Sequence, residues 1–287
     1  MQAPPRRGWA FSPVGFVRRV FVGAYEDDIL FLGSALAFDA LLALVPFALL
    51  LLAALGYFVH AGEEAATSDV LALLDQLLPK RVEGGEGPIR RAEGLIAGVV
   101  NSRSQLSIVG VPLFLYFATR FFGTARAALN EVFDTHETRP FFYGKAVDLA
   151  LVVATLVLLV ANAVLTLRFA DDPWIGRFVI GLWTYGLGVA LFFLVYKAAP
   201  TRTMAWDTAI VAAAVAALGY EIAKKLYSLY LTEFLTIDRL ISNANAIAVL
   251  LLVAWVYAMT VVFLVGSEVA ETYDLMRRQR EQRATLA

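Results

Sequence analysis

Runs without any Asp, Glu, Lys or Arg divide the chain into recurring apolar stretches. They cover residues 40–62, 104–119, 149–167, 178–196, 208–220 and 240–267, and ten more uncharged residues, 29–38, precede Asp39. A helix crossing a hydrocarbon core of about 30 Å needs about 20 mostly apolar residues, so each run marks a candidate transmembrane helix. The fifth run is short. It continues without a breaker from Met204 to Tyr230, however, and reads as one long helix holding Asp207 and Glu221. Arg168 to Trp174, with Asp171, Asp172 and Pro173, predicts a tight hairpin between the third and fourth spans. The pattern therefore predicts an all-α polytopic membrane protein with six transmembrane helices, at about 29–60, 104–120, 147–168, 175–197, 204–230 and 243–270.

The segments outside the spans carry their own periodicity. In 1–28, Val17, Val20, Phe21 and Ala24 share a helical face, which suits a helix lying in the membrane interface, although a juxtamembrane linker has the same composition. The first apolar stretch, Ile29 to Gly62, is too long for a signal peptide and would measure about 50 Å as a straight helix, so it must tilt, kink at Pro46 or protrude. Within the long connection 63–103, Ser68 caps an amphipathic run through Leu78. Pro79 ends that run, and Pro88 starts a second piece, which predicts a helical outer loop. A polar tail occupies 271–287. Lys and Arg number fourteen on the side holding both termini and ten on the other, which places the termini in the cytoplasm.

Composition narrows the chemistry. With 60% hydrophobic and only 17% charged residues, the chain is too apolar for a water-soluble domain. A formal charge of −1 argues against a nucleic-acid surface. Cys is absent and His occurs only at His60 and His136, so thiol catalysis, iron–sulfur clusters and a His-rich metal centre are excluded; neither a metal nor a cofactor is expected. No phosphate loop, nucleophile elbow or dinucleotide fingerprint is present, which argues against an enzyme.

Polar residues inside the spans fall on shared faces. Asp148, Thr155 and Asn162 recur at heptads in the third span, Arg177, Gly181, Thr184 and Gly188 line one side of the fourth, and Asp207, Ala214, Glu221 and Ser228 repeat the pattern in the fifth. In the first, Ala35, Asp39, Ala43 and Pro46 share a face. Such seams serve either as helix–helix packing or as the lining of a wet cavity. An ionised carboxylate at mid-helix costs on the order of 3 kcal/mol, which favours a functional role for Asp39, Asp148 and Glu221. Arg177 and Arg120 are candidate partners, although both lie at span ends where snorkelling is available. The candidate substrate or proton pathway is thus Asp39, Asp148, Asn162, Arg177, Thr184 and Glu221.

Four segments in order, SALAFDALLALVP (34–46), ARAALNEVF (125–133), KAAPTRTMAWDTA (197–209) and LLLVAWVYAMTVVFLVGSEV (250–269), resemble the YihY/BrkB family of bacterial inner-membrane proteins. The matching positions include Pro46, Asn130, Pro200, Trp206, Trp255, Tyr257, Gly266 and Glu268. Two departures stand out: Asp39 occupies a position where relatives usually carry an aromatic, and ISNAN (241–245) replaces a common Tyr-Gly. The resemblance implies six spans, cytoplasmic termini and an inner-membrane location. Its label of ribonuclease BN fits poorly, because clustered carboxylate and His ligands and a basic RNA path are missing.

The expected function is therefore a transporter or lipid flippase-like protein acting on an envelope lipid or amphiphile through a polar intramembrane cavity. A non-transporting scaffold for envelope assembly, docking through the outer loop, is the alternative. Membrane lipids are the expected partners, with a second copy of the chain or an envelope protein as further partners considered, and no nucleic acid.

Overall fold

A computed structural model describes residues 13–60, 87–135, 139–169, 175–234 and 244–286. Every regular element among them is a helix: α1 (Pro13–Glu26), α2 (Ile29–His60), α3 (Gly87–Val132), α4 (Phe141–Phe169), α5 (Ile175–Ala198), α6 (Trp206–Phe234) and α7 (Ala244–Leu286). The expected helix at 68–78 lies outside the described residues, as does the Arg168–Trp174 hairpin beyond Phe169, where α4 ends.

Two helices run well beyond the spans read from the sequence. The second amphipathic piece of the outer loop and the second span form one 46-residue helix, α3, which starts at Gly87 and contains Pro112. Pro88 suits its first turn, where an amide has no intrahelical acceptor anyway. The polar tail continues α7 to Leu286, because Glu, Leu, Met, Arg and Gln are all good helix formers and Arg277–Glu281 and Arg278–Asp274 pair at i,i+4 spacing.

Among the described residues, four stretches are long and apolar enough to cross a membrane: Ile29–Leu51, Ser107–Val132, Phe141–Thr166 and Val249–Gln279. Leu182–Ala198 is a shorter apolar stretch, and α6 carries Asp207, Glu221, Lys224 and Lys225. The apolar side chains largely face outward. Val153, Val157, Val160 and Val164 on α4 and Ile210, Leu218 and Ile222 on α6 are exposed, which a lipid solvent tolerates and water would not. This is a multi-pass membrane protein.

The helices fall into two compact units. The first comprises the described residues of Met1–Ala37, Phe122–Ala223 and Ala254–Ala287, and the second those of Phe38–Phe121 and Lys224–Val253. In the first, small side chains let helices approach closely: Ala209, Ala212, Ala213, Ala216 and Ala217 of α6 are all buried. Gly266 of α7 packs beneath Tyr196 of α5, whose hydroxyl donates to the Phe263 carbonyl at 2.5 Å while its ring stacks on Phe263 at 5.0 Å. Thr260 donates to the Gly33 carbonyl at 2.9 Å and Tyr257 to the Leu30 carbonyl at 3.3 Å, tying α7 to the start of α2. In the second unit, Phe47 of α2 meets Phe114 of α3 at 5.6 Å.

Candidate functional site

The connection between α5 and α6 is held on both sides. Asn130, near the end of α3, donates from Nδ2 to Thr201 Oγ1 at 3.0 Å and accepts the Thr201 amide at 2.9 Å. Arg139 donates to the Ala198 carbonyl at 3.1 Å and the Pro200 carbonyl at 2.5 Å. Carbonyls at a helix C-terminus lack intrahelical donors and carry the negative end of the helix dipole, so a guanidinium satisfies both needs. Lys197 turns back to the Met204 carbonyl with its ammonium 5.0 Å over the Trp206 ring. Buried Pro200 has no amide to donate and stiffens the bend.

This anchored connection forms one wall of a cavity of about 350 Å³, lined by Lys197, Arg202, Thr208, Asp274, Arg278 and Phe133 among others. Asp274 of α7 accepts from Arg202 at 2.7 Å and from Arg278 at 3.1 Å. Three cations thus face one carboxylate. Thr208 is fully buried, and its Oγ1 has no hydrogen-bond partner. Leaving a buried hydroxyl unpaired costs about 1–3 kcal/mol, so the position suits a ligand atom. The same wall contains the start of α6. Its first helical bond runs from the Ala209 amide to the Ala205 carbonyl, so the amides of residues 206–208 have no intrahelical acceptor, and Ala205 offers no side-chain cap. Excess positive charge, an orphan hydroxyl and a helix N-terminus together make an environment for a phosphate or carboxylate. Asp207, in the same first turn, is held by Arg277 at 2.6 Å.

The segment 197–209 is also one of the four that carry the resemblance to a known family, and the comparison with known proteins extends it to nearly the whole chain. The profile of the virulence factor BrkB matches residues 20–286. The chain belongs to the BrkB family. Similar members are UPF0761 membrane proteins. That of Alteromonas mediterranea is 26% identical over 251 residues, covering 85% of this chain and 82% of its own. That of Pseudoalteromonas atlantica is 24% identical over 280 residues, covering 94% and 89%. That of Cronobacter sakazakii is 26% identical over 280 residues, covering 93% and 91%. No solved structure matches the chain.

The BrkB-family positions named from the sequence are distributed through the fold. Asn130, Pro200 and Trp206 shape the cavity wall; Tyr257 and Gly266 lie in helix contacts, Trp255 meets Tyr220 at 6.2 Å, and Pro46 is buried within α2. Glu268 is buried and lines a second cavity.

Two of the three mid-helix carboxylates, Asp39 and Asp148, have arginine partners. Asp39 is 4% exposed and meets Arg120 Nε at 2.8 Å within the second unit. Asp148, 1% exposed, accepts both terminal nitrogens of Arg126, with Lys145 at 3.7 Å. Further along α4, the oxygens of Thr155 and Asn162 are buried without hydrogen-bond partners. Thr184 and Glu221 are half-buried on α5 and α6. Arg177 lies in the first turn of α5, and its side chain is outside the described residues. None of these six residues lines the basic cavity. In the sequence Arg202 and Arg278 are two of the fourteen basic residues on the side of the termini, and Thr208 is simply the first residue of the 208–220 run. The available signal was the Lys-x-x-Pro-x-Arg run ahead of the α6 start.

Proposed function

We propose that this protein transports or flips an envelope amphiphile with an anionic headgroup across the bacterial inner membrane, and that Lys197, Arg202, Arg278 and Thr208 engage the headgroup. The observation that carries the reading is the buried, unpartnered Thr208 hydroxyl inside a cavity with three cations against one carboxylate. Trp206 is exposed beside Lys197, a pairing suited to the headgroup level of a bilayer. An acyl tail would lie against the exposed apolar faces of the neighbouring helices, which lipid already solvates.

In this scheme Asp39 and Asp148 act as framework ion pairs, because each is neutralised by an arginine. Thr155 and Asn162, a heptad apart on α4, have buried oxygens without hydrogen-bond partners, and we assign them to the headgroup's route. No chemical conversion is involved, so the protein is not an enzyme. In the same scheme the Arg-rich end of α7 next to the cavity is cytoplasmic, by the excess of basic residues on the side of the termini, which has the headgroup captured from the inner leaflet.

Reconstitution tests this reading. Proteoliposomes carrying a fluorescent anionic phospholipid should show protein-dependent movement between leaflets, measured by quenching from outside, with a zwitterionic analogue moving more slowly. If neither lipid moves faster than in protein-free vesicles, the transport reading is wrong and the non-transporting scaffold takes its place.

A further inference from the structure

The second cavity, of about 270 Å³, lies where the α1–α2 turn meets α7. Five carboxylates, from Glu26, Asp27, Asp134, Glu268 and Glu271, line it against the guanidinium groups of Arg18 and Arg19. The turn itself is tight. The Asp27 amide donates to the Gly23 carbonyl at 2.8 Å, Asp28 takes a left-handed conformation at φ 48°, and the Phe31 and Leu32 amides return to the Asp28 carbonyl, so α2 starts at once. Asp27 is thereby fixed at the end of α1. Burial pushes its carboxyl above the ordinary range; hydrogen bonding with Glu268 opposes this, and the charges of Asp134, Glu26 and Glu131 add to it.

Glu268 comes from α7 and is only 2% exposed. Gly23 makes room for it, since a Cβ there would overlap Glu268 Oε1. Its other oxygen, Oε2, is buried and has no hydrogen-bond partner. Two acids this close share either a proton, as their hydrogen bond requires, or a cation, and a cation in the cavity would displace that proton and pair the buried Oε2 as well.

The distances fit an ion. Carboxylate oxygens of Asp27, Glu268 and Glu271 lie within 4.8 Å of one another. Three atoms at that spacing share a common point no more than about 2.8 Å from each, a few tenths of an ångström beyond a Ca²⁺–oxygen bond of about 2.5 Å and further from the about 2.1 Å of Mg²⁺, so a small side-chain rotation lets one ion reach all three. An all-oxygen, carboxylate-rich donor set selects hard cations over Zn²⁺ or Cu²⁺. We propose that Asp27, Glu268 and Glu271 form a binding site for one hard divalent cation, Mg²⁺ or Ca²⁺, which ties the α1–α2 turn to α7. Arg18 and Arg19 reduce the negative charge of the cavity without cancelling it. The sequence offered no metal-ligand spacing here, because the three acids come from opposite ends of the chain.

Mn²⁺ binding to the full-length protein in detergent, followed by electron paramagnetic resonance, tests the site. The wild type should bind about one Mn²⁺ that Mg²⁺ or Ca²⁺ displaces. Glu268→Gln and Glu271→Gln should each weaken binding by about tenfold or more, and Asp207→Asn, whose carboxylate lies outside the cavity, should not. The absence of stoichiometric Mn²⁺ binding by the wild type overturns the proposal, as does undiminished binding in both glutamine variants. Stabilisation by low pH with no effect of any divalent ion also overturns it and assigns a shared proton to the carboxylates instead. If Glu268→Gln fails to fold, wild-type stoichiometry and Glu271→Gln decide the question.

Discussion

Arg126 of α3 closes on Asp148 of α4 through both terminal nitrogens, at 2.6 Å to one carboxylate oxygen and 3.2 Å to the other. Gly144 leaves space for the guanidinium, which also donates to the Gly144 carbonyl at 3.0 Å. Asp148 is therefore a neutralised structural acid. Arg126→Ala should strand it and cost about 3–5 kcal/mol, the range for breaking a buried pair. Adding Asp148→Asn should recover part of that loss, as measured by thermal unfolding in detergent. Equal losses in the single and double variants would refute the pairing.

The Arg120–Asp39 pair should matter less. Arg120 is 48% exposed at its side chain, so its charge is partly screened. Arg120→Gln should cost about 1–2 kcal/mol. Lipid movement in proteoliposomes should survive Asp39→Asn, because the account gives Asp39 no part in transport; loss of movement in a folded Asp39→Asn protein would make it a pathway residue.

Asn130 holds Thr201 by two reciprocal hydrogen bonds. Asn130→Ala removes both and should lower stability by about 1–3 kcal/mol. It should also weaken anionic-lipid binding, since Arg202 follows directly in the released segment. Retained lipid affinity in this variant would separate the clamp from the site.

Tyr196 and Gly266 form a second interlock. A Cβ at residue 266 would overlap the Tyr196 hydroxyl and stand 2.7 Å from the Ala216 Cβ, so Gly266→Ala must displace a helix. Tyr196→Phe removes the buried hydroxyl's hydrogen bond to the Phe263 carbonyl, which keeps its intrahelical amide, and should cost about 1 kcal/mol. The double variant should lose less than the sum of the two, because removing the hydroxyl relieves one of the clashes. Strict additivity in thermal unfolding would contradict this interlock.

Much of the fold was legible because lipid makes charge placement decisive: uncharged runs lead to helices, and Ala213 with Ala217 announces a close helix contact. Helix lengths were harder. Nothing between Pro88 and the second apolar run breaks a helix, yet charge counting divides them, so α3 is longer than the span within it. For the site, spacing along one helix finds seams but not partners. Asp148, Thr155 and Asn162 share a face in sequence, while the group that neutralises Asp148 comes from another helix. The basic cavity draws its cations from α5, the connection and α7, and its most informative atom, Thr208 Oγ1, belongs to a residue that looks unremarkable at a helix start. The acidic cavity joins residues from the two ends of the chain, which no local pattern brings together.

The central claim is that the cavity of Lys197, Arg202, Arg278 and Thr208 binds an anionic headgroup. The most direct measurement is native mass spectrometry of the detergent-solubilised protein with anionic and zwitterionic phospholipids of matched acyl chains, comparing the wild type with the Lys197→Gln/Arg202→Gln variant. The account predicts preferential retention of the anionic lipid by the wild type, reduced by about tenfold or more in the variant, which removes two charged partners of the headgroup. Equal retention of both lipids by the wild type, or an unchanged preference in a folded variant, would contradict it.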